Sequence, residues 1–295
     1  MIVITPTAGL CNRMRSLDSA LALGRAAAVS VRMVWQLNVD VHCAFEELFD
    51  PIPGLESIDT VEVEKTAGPP ERMTNLRAMA KRLGPLKGLV KKVRTVRKSF
   101  GRTIEKLKGG ARILGYDDIK LFAAHPEELV ALARSHDLFI ETFSRFFRGD
   151  EDYAGFQPAA EIQETVDRFS LRSRNVVGVH LRRQTPELWL SHSPTEDFII
   201  SMQNASRSDE TVEFFVASDS LETELEIEEA FPGRIIRQPK DSYSRENPVG
   251  IRHAMVDLYC LASCRRLIGT YGSSFTATAQ ELGRIPCEII DRKEI

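Results

Sequence analysis

The sequence Asn175-Val-Val-Gly-Val-His-Leu-Arg-Arg183 is an apolar run that ends in one histidine and two arginines. Such a run is typical of a strand buried in a parallel sheet. In an open parallel α/β sheet, ligands bind outside the carboxyl ends of the strands. Each arginine stays charged and needs an anion or open water, and a guanidinium grips phosphate oxygens in a fork. The stretch therefore predicts either a diphosphate site or an exposed basic loop after a buried strand.

The second half of the chain continues with strand and helix patterns in regular alternation. This alternation indicates βαβ units and therefore a parallel sheet. The predicted strands are 176–181, 213–217, 234–237, 266–269 and 287–290, and the predicted helices are 193–205, 221–230, 252–264 and one that ends at 282.

The first half has a similar pattern at wider spacing. We predict an α/β fold with two Rossmann-like, doubly wound domains, at 1–165 and 170–295. Two such domains that face each other form a cleft. The predicted strands of the first half are 2–5, 31–35, 59–64 and 137–142, and its predicted helices are 45–54, 16–28 and 158–169.

Composition and charge narrow the class of protein. The formal net charge of −3 gives no reason to expect nucleic-acid binding. No apolar run approaches the ~18 residues of a membrane span, and an apolar strand rather than a signal-peptide pattern follows Met1. The 5 cysteines are scattered without C-x-x-C spacing, which is typical of reduced thiols. These features predict a cytoplasmic protein.

The segment 71–112 differs from the rest of the chain because it holds 14 Lys and Arg against 2 acidic residues. Its apolar residues fall roughly on one helical face, which predicts a basic amphipathic insertion in the first domain. Such a helix can lie on an anionic membrane surface, so we expect peripheral membrane contact here. The alternative is a helical insertion with a solvated basic face. Aromatic residues do not interleave with the charges, which argues against a nucleic-acid module.

A glycine-bearing turn, Gly9-Leu-Cys-Asn-Arg13, separates the first predicted strand from the first predicted helix. This layout aims backbone N–H groups and the positive end of the helix at an anion. Gly9 lets the backbone approach a ligand closely. The alternative is an ordinary βα turn in which Asn12 caps the helix.

Polar side chains follow three predicted strands of the second half. Arg182 and Arg183 can neutralise a diphosphate, and Asp219 can accept hydrogen bonds from a guanine edge or a ribose hydroxyl. Ser273 and Ser274, at the start of the last long helix, can offer hydroxyl and N–H groups to phosphate. The alternatives are that Asp219 caps the helix from 221 and that the serines are ordinary caps.

Two other acidic features each allow more than one interpretation. Asp257 lies among apolar residues in a predicted helix, as either a buried hydrogen-bond acceptor or a solvent-facing residue. The D-x-D string in Gly149–Tyr153 fits an acidic loop better than a metal site, so we expect no metal.

The motifs, taken in order, resemble the fucosyltransferase superfamily of GT-B glycosyltransferases. This group includes the nodulation chitooligosaccharide fucosyltransferases, the α-1,6-fucosyltransferases of N-glycan cores and the protein O-fucosyltransferases. The similarity fades between about Thr66 and Ala124. It rests on Gly9-Leu-Cys-Asn-Arg13, His180-Leu-Arg-Arg183, Phe215-Val-Ala-Ser-Asp219, Asp257 and Gly269-Thr-Tyr-Gly-Ser-Ser-Phe275.

The resemblance implies a GT-B fold and an inverting, metal-independent enzyme without a cofactor. It would transfer a sugar, expected to be L-fucose, from GDP-fucose to a glycan or lipid-linked glycan, as in polysaccharide biosynthesis. The first domain would take the acceptor and the second the nucleotide sugar. Arg182 would be the catalytic, diphosphate-binding residue. The other donor-binding residues implied are Gly9, Cys11, Asn12, Arg13, His180, Arg183, Asp219, Asp257, Ser273, Ser274 and Phe275.

One departure from the family pattern is Gln184-Thr185, where many relatives carry an acidic residue. It leaves the base that deprotonates the acceptor hydroxyl unassigned, with Glu187, His192 and Glu196 as nearby titratable residues. Three alternatives stay open: another nucleotide sugar, a nucleotide-sugar or glycan-binding protein without turnover, and an unrelated two-domain α/β protein.

Overall fold

A computed structural model describes residues 1–63, 111–184 and 187–292. The chain forms two compact units, Met1–Phe45 with Pro51–Gly155, and Glu46–Asp50 with Phe156–Ile295. The short piece Glu46–Asp50 joins the second unit through backbone hydrogen bonds, from Asp50 N to Gln157 O and from Ala159 N to Leu48 O. The compact units divide after Gly155. The division into an acceptor domain at 1–165 and a nucleotide-sugar domain at 170–295 stays a prediction.

The first unit is built on a five-stranded parallel sheet in the order β3-β2-β1-β5-β4. Its strands are β1 (Ile2–Pro6), β2 (Val31–Leu37), β3 (Leu55–Glu62), β4 (Ala111–Leu114) and β5 (Asp137–Thr142), and its helices are α1 (Leu10–Ala27), α2 (Tyr116–Phe122) and α3 (Pro126–Ser135). A 3-10 turn at Phe45–Glu47 replaces the longer helix predicted there.

Two predictions for this unit are corrected. Helix α1 begins at Leu10 rather than Ser16, because Gly9 is the extended N-cap residue and Asn12 lies inside the helix. The end of the predicted helical insertion is wrong, since Ala111 and Arg112 begin strand β4. This strand has 4 residues, too few for a recognisable alternation. The prediction for 71–110 falls outside the described residues.

The second unit is built on a five-stranded parallel sheet in the order β10-β9-β6-β7-β8. Its strands are β6 (Val176–Leu181), β7 (Glu213–Ser218), β8 (Ile235–Ile236), β9 (Arg266–Thr270) and β10 (Cys287–Ile290). Its helices are α4 (Ala160–Arg168), α5 (Glu187–His192), α6 (Thr195–Ser208), α7 (Leu221–Ala230), α8 (Pro248–Ala262) and α9 (Ser274–Gly283), and a 3-10 turn lies at Leu171–Ser173.

The central strand β6 is buried along its whole length. Val179 packs on one face with Phe198 of α6 and Ile227 of α7. Gly178 points to the other face, where a Cβ would collide with Leu261 of α8 and Leu267. Alternate residues of a strand point to opposite faces, so His180 lies on the same face as Gly178.

The predicted α/β class with two Rossmann-like units is confirmed, while the cleft and the GT-B arrangement stay predictions. Helix α8 begins earlier than predicted, because the Asn247 side chain caps it by accepting from Gly250 N at 2.8 Å and Pro248 occupies its first turn. Among the described residues, no helix has the length and apolar character needed to cross a membrane.

Candidate functional site

The strand order of the second sheet reverses at β6. The chain moves outward from β6 to β7 and β8, and later returns to the other side of β6 through β9 and β10. At such a switch point the loops leave neighbouring strands in opposite directions and open a crevice at the carboxyl edge, which is where nucleotides bind in doubly wound folds. Arg182 follows β6, and the turn 271–273 follows β9.

Two buried hydroxyl groups hold the end of β6 on both sides. The Thr270 hydroxyl of β9 donates to His180 O at 2.8 Å and accepts from Arg182 N at 2.9 Å. The Ser218 hydroxyl of β7 donates to Leu181 O at 2.8 Å. These bonds fix the backbone of Arg182 relative to the strands that flank it.

His180 links the end of β6 to the first turn of α9. Its side chain is buried, with Nδ1 2.8 Å from Thr276 Oγ1, and its ring stacks on Phe275 at 4.8 Å. The pKa of His180 is lowered to about 3, mainly by burial and secondly by the positive charge of Arg182. The imidazole is therefore neutral near pH 7. Gly269 beside it has no room for a side chain, because a Cβ would overlap Thr276.

The two arginines of the motif have different surroundings. The Arg183 guanidinium donates from Nη1 to Ser193 O at 3.0 Å and from Nη2 to Thr195 Oγ1 at 3.1 Å. It also lies over the ring of Phe198 at 5.7 Å. Arg183 thus supports the α5–α6 junction. Arg182 is half-buried, and its backbone rather than its side chain carries the bond to Thr270.

Asp219 is bound to the loop that carries the arginines. Its Oδ1 accepts from Arg183 N at 2.6 Å and from Gln184 N at 3.2 Å, and its Oδ2 lies 3.5 Å from Arg245 Nη2. The alternative that Asp219 caps α7 is wrong, because the cap is Ser220, whose Oγ accepts from Thr223 N at 3.3 Å. A contact of Asp219 with the donor stays a prediction.

Asp257 belongs to a buried charge cluster, which we define as Glu224, Lys240 and Asp257. Lys240 Nζ lies 2.6 Å from Asp257 Oδ2 and also pairs with Glu224, and Gln238 Nε2 donates to Asp257 Oδ1 at 2.6 Å. Burial raises the pKa of Asp257, and the nearby Lys240 charge opposes this shift. The buried-acceptor interpretation of Asp257 is confirmed, and its contact with the guanosine stays a prediction.

Sequence reasoning missed Lys240 and Glu224. Both are charged residues in stretches without a motif, and their ion-pair partners lie 16 or more positions away in the sequence. Asp257 itself indicated that such residues exist, because a carboxylate among the apolar residues of a helix requires a hydrogen-bonding or charged partner.

The turn after β9 presents the amino end of α9 at the carboxyl edge. Gly272 has φ +62°, which the turn requires, and the Ser273 side chain caps the helix by accepting from Thr276 N at 3.4 Å. The cap interpretation of Ser273 is therefore confirmed. Ser274 is the first residue of α9, where backbone N–H groups have no partner within the helix and favour an anion.

The loop after β1, in the first unit, is held by the buried side chain of Arg13. Its Nε donates to Ala8 O at 2.8 Å, Nη1 to Gln36 O at 2.5 Å and Nη2 to Asn38 Oδ1 at 2.8 Å. Ala8 has φ +62°, a left-handed conformation that costs about 1 kcal/mol for an alanine. The hydrogen bond from Arg13 to Ala8 O stabilises this conformation of the loop.

The other side chains of this loop differ in exposure. Cys11 is buried with Arg13, whereas Gly9 and Asn12 are partly exposed. The amino end of α1 has no side-chain cap, because its N-cap residue, Gly9, has no side chain. Donor contacts by Gly9, Cys11, Asn12 and Arg13 stay predictions.

The second aspartate of the D-x-D string, Asp152, pairs with arginines. Asp152 pairs with Arg145 at 3.2 Å and with Arg148, and Arg145 also pairs with the buried Asp18 at 2.6 Å. Within 1–63, 111–184 and 187–292, no group of three or more His, Cys, Asp and Glu is placed to hold a metal ion.

No protein-family model and no curated protein matches this sequence. Several solved structures are similar in fold. NodZ α-1,6-fucosyltransferase soaked with GDP-fucose aligns with a TM-score of 0.60 and 20% identity, over 99% of this chain and 94% of that one. FUT1 of Arabidopsis thaliana in complex with GDP aligns with a TM-score of 0.58 and 15% identity, over 99% of this chain and 70% of that one. POFUT1 in complex with GDP aligns with a TM-score of 0.54 and 14% identity, over 98% of this chain and 97% of that one. This chain thus shares the α/β fold of these fucosyltransferase structures, with two Rossmann-like units as predicted, and the GT-B arrangement of the units stays a prediction.

Proposed function

We propose that the protein is a glycosyltransferase of the fucosyltransferase superfamily that transfers L-fucose from GDP-fucose to a glycan hydroxyl. The observation that carries the proposal is the switch point of the second sheet. There a backbone-anchored arginine, Arg182, follows β6, and the amino end of α9 follows the adjacent strand β9. The similar structures, NodZ and POFUT1, were solved with GDP or GDP-fucose.

The chemistry of the transfer fits these groups. The acceptor oxygen bonds to C1 of the sugar, the bond from C1 to the β-phosphate oxygen breaks, and its electron pair leaves with GDP. Negative charge therefore grows on the β-phosphate while the sugar becomes positive. A guanidinium and helix N–H groups that are already in position stabilise this separation without reorganisation. We propose a single displacement that inverts C1 and requires neither metal nor cofactor.

The acceptor and the site of action are less closely constrained. We propose a glycan or lipid-linked glycan acceptor in the cytoplasm, with peripheral membrane contact through the basic segment 71–112, whose residues 71–110 lie outside the described structure. Loss of liposome binding when anionic lipid is omitted is the expected result for membrane contact. Equal binding to neutral liposomes would contradict it.

Donor cleavage tests the proposed activity directly. The protein is incubated with GDP-fucose, GDP-mannose or UDP-glucose in the presence of EDTA, and release of the nucleoside diphosphate is measured. We expect GDP release from GDP-fucose, with water replacing the acceptor, and much slower release from the other donors.

Two outcomes would contradict this proposal in different ways. Faster cleavage of UDP-glucose or GDP-mannose would show that the protein is a glycosyltransferase that uses another donor sugar. GDP binding without cleavage of any donor would favour the binding-protein alternative, which the absence of an acid at Gln184 makes worth testing.

A further inference from the structure

The proposed transfer lacks a base, and the structure contains an oriented histidine at the carboxyl edge of the second sheet. His192 ends helix α5, and its Nδ1 lies 2.9 Å from Asp291 Oδ1, just after β10. A carboxylate can only accept, so Nδ1 carries the proton and Nε2 is left as the acceptor. This is the arrangement in which a carboxylate fixes a histidine in the tautomer that acts as a base.

The His192 ring is also held in orientation by stacking. It lies against Tyr271 with ring centres 4.7 Å apart and planes inclined by 23°. The side chain is 27% exposed, so it is supported by the protein and still reached by solvent. Tyr271 belongs to the same turn as Ser273, which precedes the amino end of α9.

The histidine is connected to Arg183 of the motif through the next residue, Ser193. Ser193 O accepts from Arg183 Nη1 at 3.0 Å, and the Ser193 hydroxyl accepts from Tyr271 N at 3.0 Å. The same hydroxyl donates to Ile290 O at 2.5 Å. Ser193 therefore ties together the ends of β6, β9 and β10, and it fixes His192 relative to the proposed diphosphate site.

The charged groups around His192 have identifiable partners. Arg292, beside Asp291, forms a two-bond ion pair with Asp197, at 2.6 and 2.9 Å. The Arg183 charge is directed to the α5–α6 junction. Glu187 and Glu196, the other candidates near the motif, are exposed to solvent. Among these groups, His192 combines an orienting carboxylate at Nδ1 with a second ring nitrogen, Nε2, that can accept a proton.

We propose, on the basis of the proposed transfer, that His192 is the general base that takes the proton from the acceptor hydroxyl, with Asp291 as its positioning residue. As the acceptor oxygen bonds to C1 of the sugar, its proton passes to Nε2, and the imidazolium is stabilised by Asp291. The proton later leaves to solvent, and GDP leaves with the electron pair of the broken bond. In the absence of an acceptor, water takes the same place.

The test measures hydrolysis of GDP-fucose, with water as the acceptor, and GDP affinity in the same preparations. In His192→Gln, hydrolysis is expected to fall about 10²-fold, the usual contribution of a general base, while GDP affinity is unchanged. The pH dependence of the rate should differ between wild type and His192→Gln, because the variant lacks the base. In Asp291→Asn the rate should also fall while GDP affinity is unchanged, because the carboxylate no longer orients the ring or stabilises the imidazolium formed in the reaction.

Further variants separate a catalytic role from a structural one. Added imidazole should restore part of the rate to His192→Ala, which a structural role would not predict. The control is His125→Gln, which removes an exposed histidine 4.0 Å from Glu128 and should leave the rate unchanged.

Three outcomes would overturn the assignment. A wild-type rate in His192→Gln would remove His192 from catalysis and leave the proposed transfer intact. Equal losses of GDP affinity and rate would make it a structural residue. No cleavage of GDP-fucose by the wild type would overturn both this inference and the proposed function.

Discussion

Replacing Lys240 with methionine is expected to lower the free energy of unfolding by about 3–5 kcal/mol. The Lys240 side chain is 2% exposed, and its partners Glu224 and Asp257 are 0% and 6% exposed. Methionine fills similar space without the charge, so the variant leaves two buried carboxylates without their ammonium partner. An uncompensated buried charge is among the most costly changes that a single substitution makes.

The cluster also supports the site, because it joins the end of β7 to two helices. Glu224 accepts from Ser218 N at 3.0 Å, and Lys240 donates to Ser218 O at 3.1 Å. Ser218 precedes Asp219, which in turn holds the arginine loop. The Lys240→Met protein should therefore also bind GDP more weakly where it is still folded.

Denaturant unfolding at several pH values measures this effect. The loss should be largest at neutral pH and should shrink in acid, because Asp257, whose pKa burial already raises, can then bind a proton and lose its unpaired charge. The control is Lys120→Met, which removes an exposed lysine near Tyr116 and should cost less than about 0.5 kcal/mol. A loss below about 1 kcal/mol for Lys240→Met, or one that grows in acid, would contradict the description of the cluster.

Replacing Arg182 with alanine is expected to slow cleavage of GDP-fucose by about 10²–10³-fold. The side chain is assigned to the β-phosphate, where negative charge grows as GDP leaves. The Arg182 backbone should stay in place, because its N–H is held by Thr270 and the next N–H by Asp219. The variant therefore removes the charge and keeps the loop.

The rate is compared with that of Arg174→Ala. Arg174 pairs with Glu213 at the opposite, amino edge of the same sheet, so this variant removes an equal charge from outside the site. We expect a wild-type rate for Arg174→Ala and unchanged unfolding for Arg182→Ala. A wild-type rate in Arg182→Ala would remove this side chain from the reaction.

The strands of the second sheet were predicted well from the sequence, because they are short apolar runs bounded by polar residues and the central ones, β6, β7 and β9, are almost wholly buried. Val176–Leu181 and Cys287–Ile290 have the predicted bounds. A parallel sheet places all carboxyl ends at one edge, so the location of the polar residues followed from the alternation of elements, whereas the strand order did not. Strand β4 was missed because of its length.

The partners of the polar side chains could not be predicted. Position along a strand indicates which edge a residue occupies, but the partner depends on rotamers and on contacts distant in sequence. Asp219 was expected at a ligand or a helix cap; the cap is Ser220, and the Asp219 side chain binds the backbone of Arg183, a contact that the sequence did not indicate. His192 was one of several titratable candidates until Asp291, 99 positions away, supplied an orienting carboxylate.

The central claim is that the switch point of the second sheet binds a guanosine diphosphate. It is tested most directly by calorimetric titration of GDP, UDP and ADP into the wild-type protein in EDTA. We predict that GDP binds at least about 10-fold more tightly than UDP or ADP, the equivalent of one well-placed hydrogen bond to the base. Equal affinity for all three nucleotides, or no binding of any, would contradict the claim and assign the strand-end arginines to another anion.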